Sequence, residues 1–184
     1  MPQNNGSQPA RIDPRSVLSQ RRKLQLSSFA DILAEAERLT ELVQDGNTVR
    51  ADLAPGDSRL VHLGNMPLGQ MLGHLGLTLR LAVHPAAYRF PLPMRLVFGM
   101  LRRRFLTGGL SMPVEAPARL NSEILPDAGL QCSAGLEILQ QQIAEFRAAQ
   151  SLQPNLMLGS LSRGEWEALS CRHAEWHLSF ILER

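Results

Sequence analysis

Cysteine is scarce in this chain of 184 residues. The two present, Cys132 and Cys171, do not indicate a disulfide framework, and a reducing cytoplasm is the expected compartment. Aromatic residues make up only 5%, and no internal repeat or convincing strand pattern stands out. No run of about 18 apolar residues occurs, so no segment is expected to span a membrane. The formal net charge of +2 is too small to argue for nucleic acid. Arg21-Arg22 resembles the start of a twin-arginine export signal. The following Lys23-Leu24-Gln25-Leu26-Ser27-Ser28 never becomes the apolar stretch such a signal needs.

Leu and Ala are plentiful, which favours helix, and the length suits one domain with a substantial core. Residues 1–22 are rich in Asn, Gln, Ser and Pro and are expected to form a disordered or loosely packed arm, with the folded domain over 23–184. A first helix starts near Ser28, with Phe29, Ile32, Leu33, Ala36, Leu39 and Val43 on one face and Gly46 beyond its end. A second runs from about Pro67 to Val83, with Gly69, Gly73 and Gly76 on one side. Each glycine costs a helix about 1 kcal/mol relative to alanine, so a closely packed neighbouring helix is the expected compensation. Residues 84–127 carry Pro85, Pro91, Pro93, Pro113, Pro117 and Pro126 around one short helical run, 94–106. That reads as a long crossover between parallel helices. A third helix covers 128–149 and a fourth 162–183, opened by a capping box of Ser162 and Glu165. The expected fold is an all-α four-helix bundle.

The last helix carries the most informative pair. At about 100° per residue, Trp166, Leu169, His173, Trp176, His177 and Phe180 share one face, while Arg172, Glu175, Ser179 and Glu183 oppose it. Two imidazoles aimed at a core each need a partner, at a cost of roughly 1–3 kcal/mol if left unsatisfied. His74 lies on the second helix, away from the glycines and beside Met71, Thr78 and Leu81. Side chains at i and i+4 stack on a helix face, and no Asp or Glu lies on the inner face to take the imidazole protons. One divalent ion would satisfy all three, as in an open zinc site, and imidazole also suits nickel, iron and copper. His84 is expected to cap a helix end, and His62 to be exposed in a connection. Cys171 points away from the histidines and is excluded as a ligand, and Cys132 reads as a packed thiol. Arg102, Arg103 and Arg104 form the densest basic cluster. They read either as a solvated helix end or as a hook for an anionic substrate.

His74 within Leu68-Gly69-Gln70-Met71-Leu72-Gly73-His74-Leu75, Gly109 and Met112-Pro113 in the crossover, and the run from Leu161-Ser162-Arg163-Gly164-Glu165-Trp166 through Arg172-His173-Ala174-Glu175-Trp176-His177 carry a resemblance. On these residues the chain, from about Arg21 onward, resembles the DinB/YfiT-like superfamily of proposed metalloenzymes, in an uncharacterised-domain branch. The resemblance implies an up-down-down-up order of four helices and a metal triad at His74, His173 and His177. It also implies chemistry like that of metal-dependent thiol transferases or a maleylpyruvate isomerase. The chain departs from the pattern at Met66-Pro67, where a tryptophan is expected, and at Pro154-Asn155-Leu156-Met157-Leu158-Gly159, which keeps only Pro and Gly. The leading expectation is therefore a metal-dependent hydrolase or thiol S-transferase with one zinc or nickel ion. Its partner would be a small molecule, an anionic thiol among the candidates, with no nucleic acid, no membrane, and a homodimer left open. The rivals are a non-catalytic metal- or ligand-binding bundle and a structural bundle with hydrogen-bonded histidines. No general base is evident.

Overall fold

The glycine side of the second helix decides how the molecule is put together. In the computed structural model, which describes residues 10–43, 46–54, 58–108 and 116–184, that helix is α2 (Leu68–Arg80). It lies against a helix over Cys132–Ala148 at backbone-contact distance. A Cβ added to Gly69 would sit 2.0 Å from the carbonyl oxygen of Leu130, and one added to Gly135 would sit 2.3 Å from the carbonyl oxygen of Gly69. Only hydrogen fits between these backbones. The expected close approach is present.

In chain order the helices are a 3-10 turn at Pro14–Gln20, α1 (Phe29–Glu41), α2, α3 (Leu92–Met100), α4 (Arg102–Thr107), α5 (Ala118–Ile124), α6 (Cys132–Ala148) and α7 (Arg163–Leu178). Long helices α1 and α2 each pack against both α6 and α7. Leu39, Leu68, Leu72, Ile143 and Leu178 are fully buried among them. The expected capping box of Ser162 and Glu165 starts α7, and a second one, Ser28 with Asp31, starts α1. The start of α2 has no side-chain cap of its own. Instead Leu68 N–H donates to Thr48 Oγ1 (2.9 Å) and Gly69 N–H to Asn47 Oδ1 (3.1 Å), so the preceding loop satisfies the free amides.

The all-α expectation needs correction. A three-stranded mixed sheet joins β1 (Val49–Arg50), β2 (Leu60–His62) and β3 (Ile181–Glu183), with β2 central, parallel to β1 and antiparallel to β3. The last helix stops at Leu178, and the residues expected to complete it pair as a strand, Val61 opposite Leu182 and His62 opposite Ile181. Strands of two or three residues are too short for an alternating pattern to show, and β2 is buried at every position. Among its described residues the crossover holds three short helices rather than one. Gly109 and Met112-Pro113 fall outside the described residues.

The expected arm divides. Residues 1–9 lie outside the described residues, whereas Val17 and Leu18 pack against the core. The segment before α1 also covers the polar side of α7, opposite the histidines. Leu26 N–H donates to Glu175 (2.7 Å), Arg172 donates to the Leu26 carbonyl, and Arg22 N–H donates to the Ser179 carbonyl (3.0 Å). Charged residues there serve an extended strap of backbone rather than solvent. Cys171 is fully buried, and burial raises its thiol pKa to about 11.

Candidate metal centre

Fixing α2 through its glycines leaves the opposite side of that helix free to carry function. His74, Thr78 and Leu81 there line a cavity of about 740 Å³, within the ordinary range for small-molecule sites of about 300–1,000 Å³. Its far wall is α7, with Trp166, Leu169, His173, Trp176 and His177. Phe90, Phe105, Leu120, Leu156 and Met157 from the intervening segments close the sides.

The three histidines meet at one place. Ring centroids are 5.1 Å apart for His74–His173, 4.8 Å for His74–His177 and 4.7 Å for His173–His177, each pair edge to face. One nitrogen from each ring lies within 4.8 Å of the other two, so the trio could hold a metal ion. Tetrahedral coordination at 2.0–2.1 Å needs nitrogens ~3.4 Å apart, a small adjustment from this arrangement.

Proton positions follow from the partners. His74 Nδ1 lies 2.8 Å from the carbonyl oxygen of Ile124, which can only accept, so Nδ1 holds the proton and Nε2 the free lone pair. Thr78 Oγ1 donates its one proton to the Leu75 carbonyl (2.9 Å). It therefore accepts from His173 Nδ1–H at 3.4 Å, again leaving Nε2 bare. The Nε2 atoms of His173 and His177 are 3.0 Å apart, and in the neutral cluster His177 donates to His173. Burial favours the uncharged rings. It lowers the pKa of His74, takes His173 down to about 3 with the neighbouring His74 adding to the effect, and depresses His177 strongly. Neutral imidazole is the form that binds metal.

No Asp or Glu lines this cavity among the described residues, and Arg11 is its one charged lining side chain there. Arg21, from the covering strap, stacks its guanidinium 4.3 Å above Trp176 and 5.1 Å above Phe180, bracing the wall from behind. Neither contact carried a sequence signal. Thr78 was legible only as a neighbour of His74 one turn away, and a backbone carbonyl such as that of Ile124 leaves no trace in composition.

Several other expectations change. Arg102 spends its guanidinium on Glu165 in a two-pronged ion pair, both oxygens at 2.6 Å, and Arg103 and Arg104 are exposed. None of the three lines the cavity. Glu165 is held down to about pKa 2, first by the Ser162 N–H and then by Arg102. His62 is buried in β2, not exposed, with Nδ1 3.1 Å from Thr48 Oγ1. Burial and then the nearby Arg50 lower its pKa to about 4. His84 meets the Glu145 carboxylate at 2.6 Å rather than capping a helix. Cys132 is a packed thiol as expected, raised by burial to about 11.

Fold and site together define a small, mostly helical protein with a three-histidine cluster at the wall of an apolar cavity. Residues 18–184 match the family described as Protein of unknown function (DUF1569), and the chain belongs to that family. No curated protein and no solved structure matches it.

Proposed function

We propose that His74, His173 and His177 hold one divalent ion, zinc or nickel. On this reading the protein is a metal-dependent enzyme of DinB/YfiT type, a hydrolase or thiol S-transferase acting on a small molecule. The long helices α1, α2, α6 and α7 would then be the up-down-down-up bundle of that superfamily, with α3–α5 as its crossover. The observation that carries the reading is the convergence of the three rings: one nitrogen of each lies within 4.8 Å of the other two, while Nδ1 of His74 and Nδ1 of His173 lie against oxygen atoms. Such an ion, with three protein ligands and an open position, would polarise a bound substrate and favour the ionised form of a water or thiol.

This chain's own residues supply the rest. Thr78 and the Ile124 carbonyl hold two of the rings in register. Trp166, Trp176 and Phe180 exclude water, and a substrate carrying an anionic group suits three neutral ligands in a cavity without carboxylates. Two unpaired buried cysteines fit a reducing cytoplasm as its location. That same lack of a lining carboxylate favours a second reading, a non-catalytic bundle that binds a metal or small ligand, because no general base faces the site.

Elemental analysis of protein purified without an affinity tag tests the proposal. One equivalent of metal in the wild-type protein, absent when all three histidines become alanine, supports it. Equal metal content in both would sink it. Turnover of thioester, amide or electrophile–thiol test substrates by the loaded protein separates the enzyme from the binding module.

A further inference from the structure

The outer side of α3 presents a surface that the cavity does not use. No residue of this helix is buried, and Leu92, Leu96, Val97 and Met100 are 65%, 63%, 56% and 87% exposed. At about 100° per residue these four fall within one arc of ~140°. Phe98 lies on the other side and packs against the core. The helix is nonetheless well anchored. Phe98 lies 6.0 Å from Phe90 and 6.0 Å from Phe105, and Arg102, two residues beyond α3, is pinned to Glu165 at the start of α7. An apolar stripe held outward on a fixed helix signals a contact surface, because monomeric proteins seldom expose contiguous patches of this kind.

Charge selects the occupant. Residues 89–108 contain Arg89, Arg95, Arg102, Arg103 and Arg104 and no Asp or Glu. Arg95, Arg103 and Arg104 form no ion pair with another described residue. A second copy of the chain would bring these arginines toward their own counterparts, whereas an anionic lipid surface neutralises them. Nine residues of helix reach only ~14 Å, too short to cross a bilayer but suited to lying in its interface. No described helix is long and apolar enough to cross a membrane.

We propose that α3 and α4 form an interfacial docking element for anionic phospholipid bilayers. Leu92, Leu96 and Met100 enter the headgroup boundary, and Arg95, Arg103 and Arg104 meet lipid phosphates. The absence of a membrane span, on which the expectation of no membrane partner rested, leaves such surface binding open. Docking would bring the bilayer beside Phe105, a wall of the histidine cavity.

Co-sedimentation of the full chain with phosphatidylcholine vesicles, with and without phosphatidylglycerol, tests this. The wild type should partition onto the phosphatidylglycerol vesicles and leave them as salt rises. Leu96→Gln with Met100→Gln should weaken partition about tenfold or more. Arg103→Gln with Arg104→Gln should weaken it about fivefold per charge. All four positions are exposed, so circular dichroism should be unchanged. A Leu96→Trp variant gives an independent readout, a blue-shifted emission on anionic vesicles. No partition, or equal partition onto neutral vesicles, overturns the proposal. So does a vesicle-free dimer that the leucine and methionine substitutions convert to monomer, since the occupant would then be a second copy.

Discussion

On one side of α2 a methyl group cannot replace a hydrogen, while the other side faces about 740 Å³ of space. At Gly69, Gly73 and Gly76 the neighbouring α6 and the segment leading into it approach so closely that any side chain would collide with backbone or with packed Leu130, Pro126 and Ile138 atoms. At His74 and Thr78, half a turn of the helix away, the same residues that could have filled a core instead line a cavity. The two sides depend on each other. An imidazole is useful only if its position is fixed to within a fraction of an ångström, and the glycine contact fixes the helix that carries it. Rigidity is placed behind the site rather than in it.

The largest expected effect lies on the open side. His177→Ala should reduce zinc affinity by about 100-fold or more while leaving helix content intact, as read by titration calorimetry and circular dichroism on the same sample. Thr78→Val, which only frees the His173 ring to turn, should lose about tenfold. Equal losses for both would mean that Thr78 does more than orient. Retained affinity in both would remove the contrast between the two sides of α2.

On the closed side, Gly69→Leu should cost about 3 kcal/mol or more through overpacking, lowering the melting temperature by about 10 °C. Because the obstacle is the Leu130 carbonyl rather than a side chain, Leu130→Ala should not rescue it.

A third test uses acid. His62 keeps a pKa of about 4 in the fold against an ordinary 6.5. The unfolded chain therefore takes up this proton first, and stability falls as pH drops from about 6.5 toward 4 and is unaffected above that window. The loss amounts to about 3 kcal/mol for this group. Urea midpoints measured across the range should flatten in a His62→Leu variant. The depressed histidines of the cavity act in the same direction, so the slope left in that variant reports on them.

The smallest effect comes from a glycine with no neighbour. Nothing lies within 4 Å of a Cβ added to Gly99 in α3, so Gly99→Ala should stabilise by up to about 1 kcal/mol. Destabilisation there would show that close packing at glycine is not confined to the α2–α6 contact.

Periodicity and caps made most of the helical part legible. The starts of α1 and α7 fall at the serines that cap them, and α2 and α6 fall within a few residues of their expected spans. The three histidines could be placed on inward faces because a long helix repeats its geometry over several turns. What escaped has a common cause. The strands are too short to repeat anything, and their pairing partners lie far away in sequence. On the polar side of α7, the charged Arg172 and Glu175 bind backbone groups of Leu26, which no pattern of side chains announces. Arg102, expected either at a solvated helix end or as part of an anion hook, pairs instead with Glu165, whose visible role was in the capping box.

The strap from residue 21 to residue 28 also joins parts of the chain that lie far apart in sequence. Its bonds to α7 close loops of 149 residues at Leu26–Glu175 and 156 at Arg22–Leu178. His173 reaches Thr78 across 95. Contacts at such separations are won late, after loop-closure entropy has been overcome. The cavity therefore has no counterpart in a half-folded chain, and an ion or small molecule has nothing to grip until α7 has docked. Such a ligand should leave the rate of folding untouched and lengthen only the lifetime of the native state, so that occupancy is recorded in the unfolding limb of the kinetics alone.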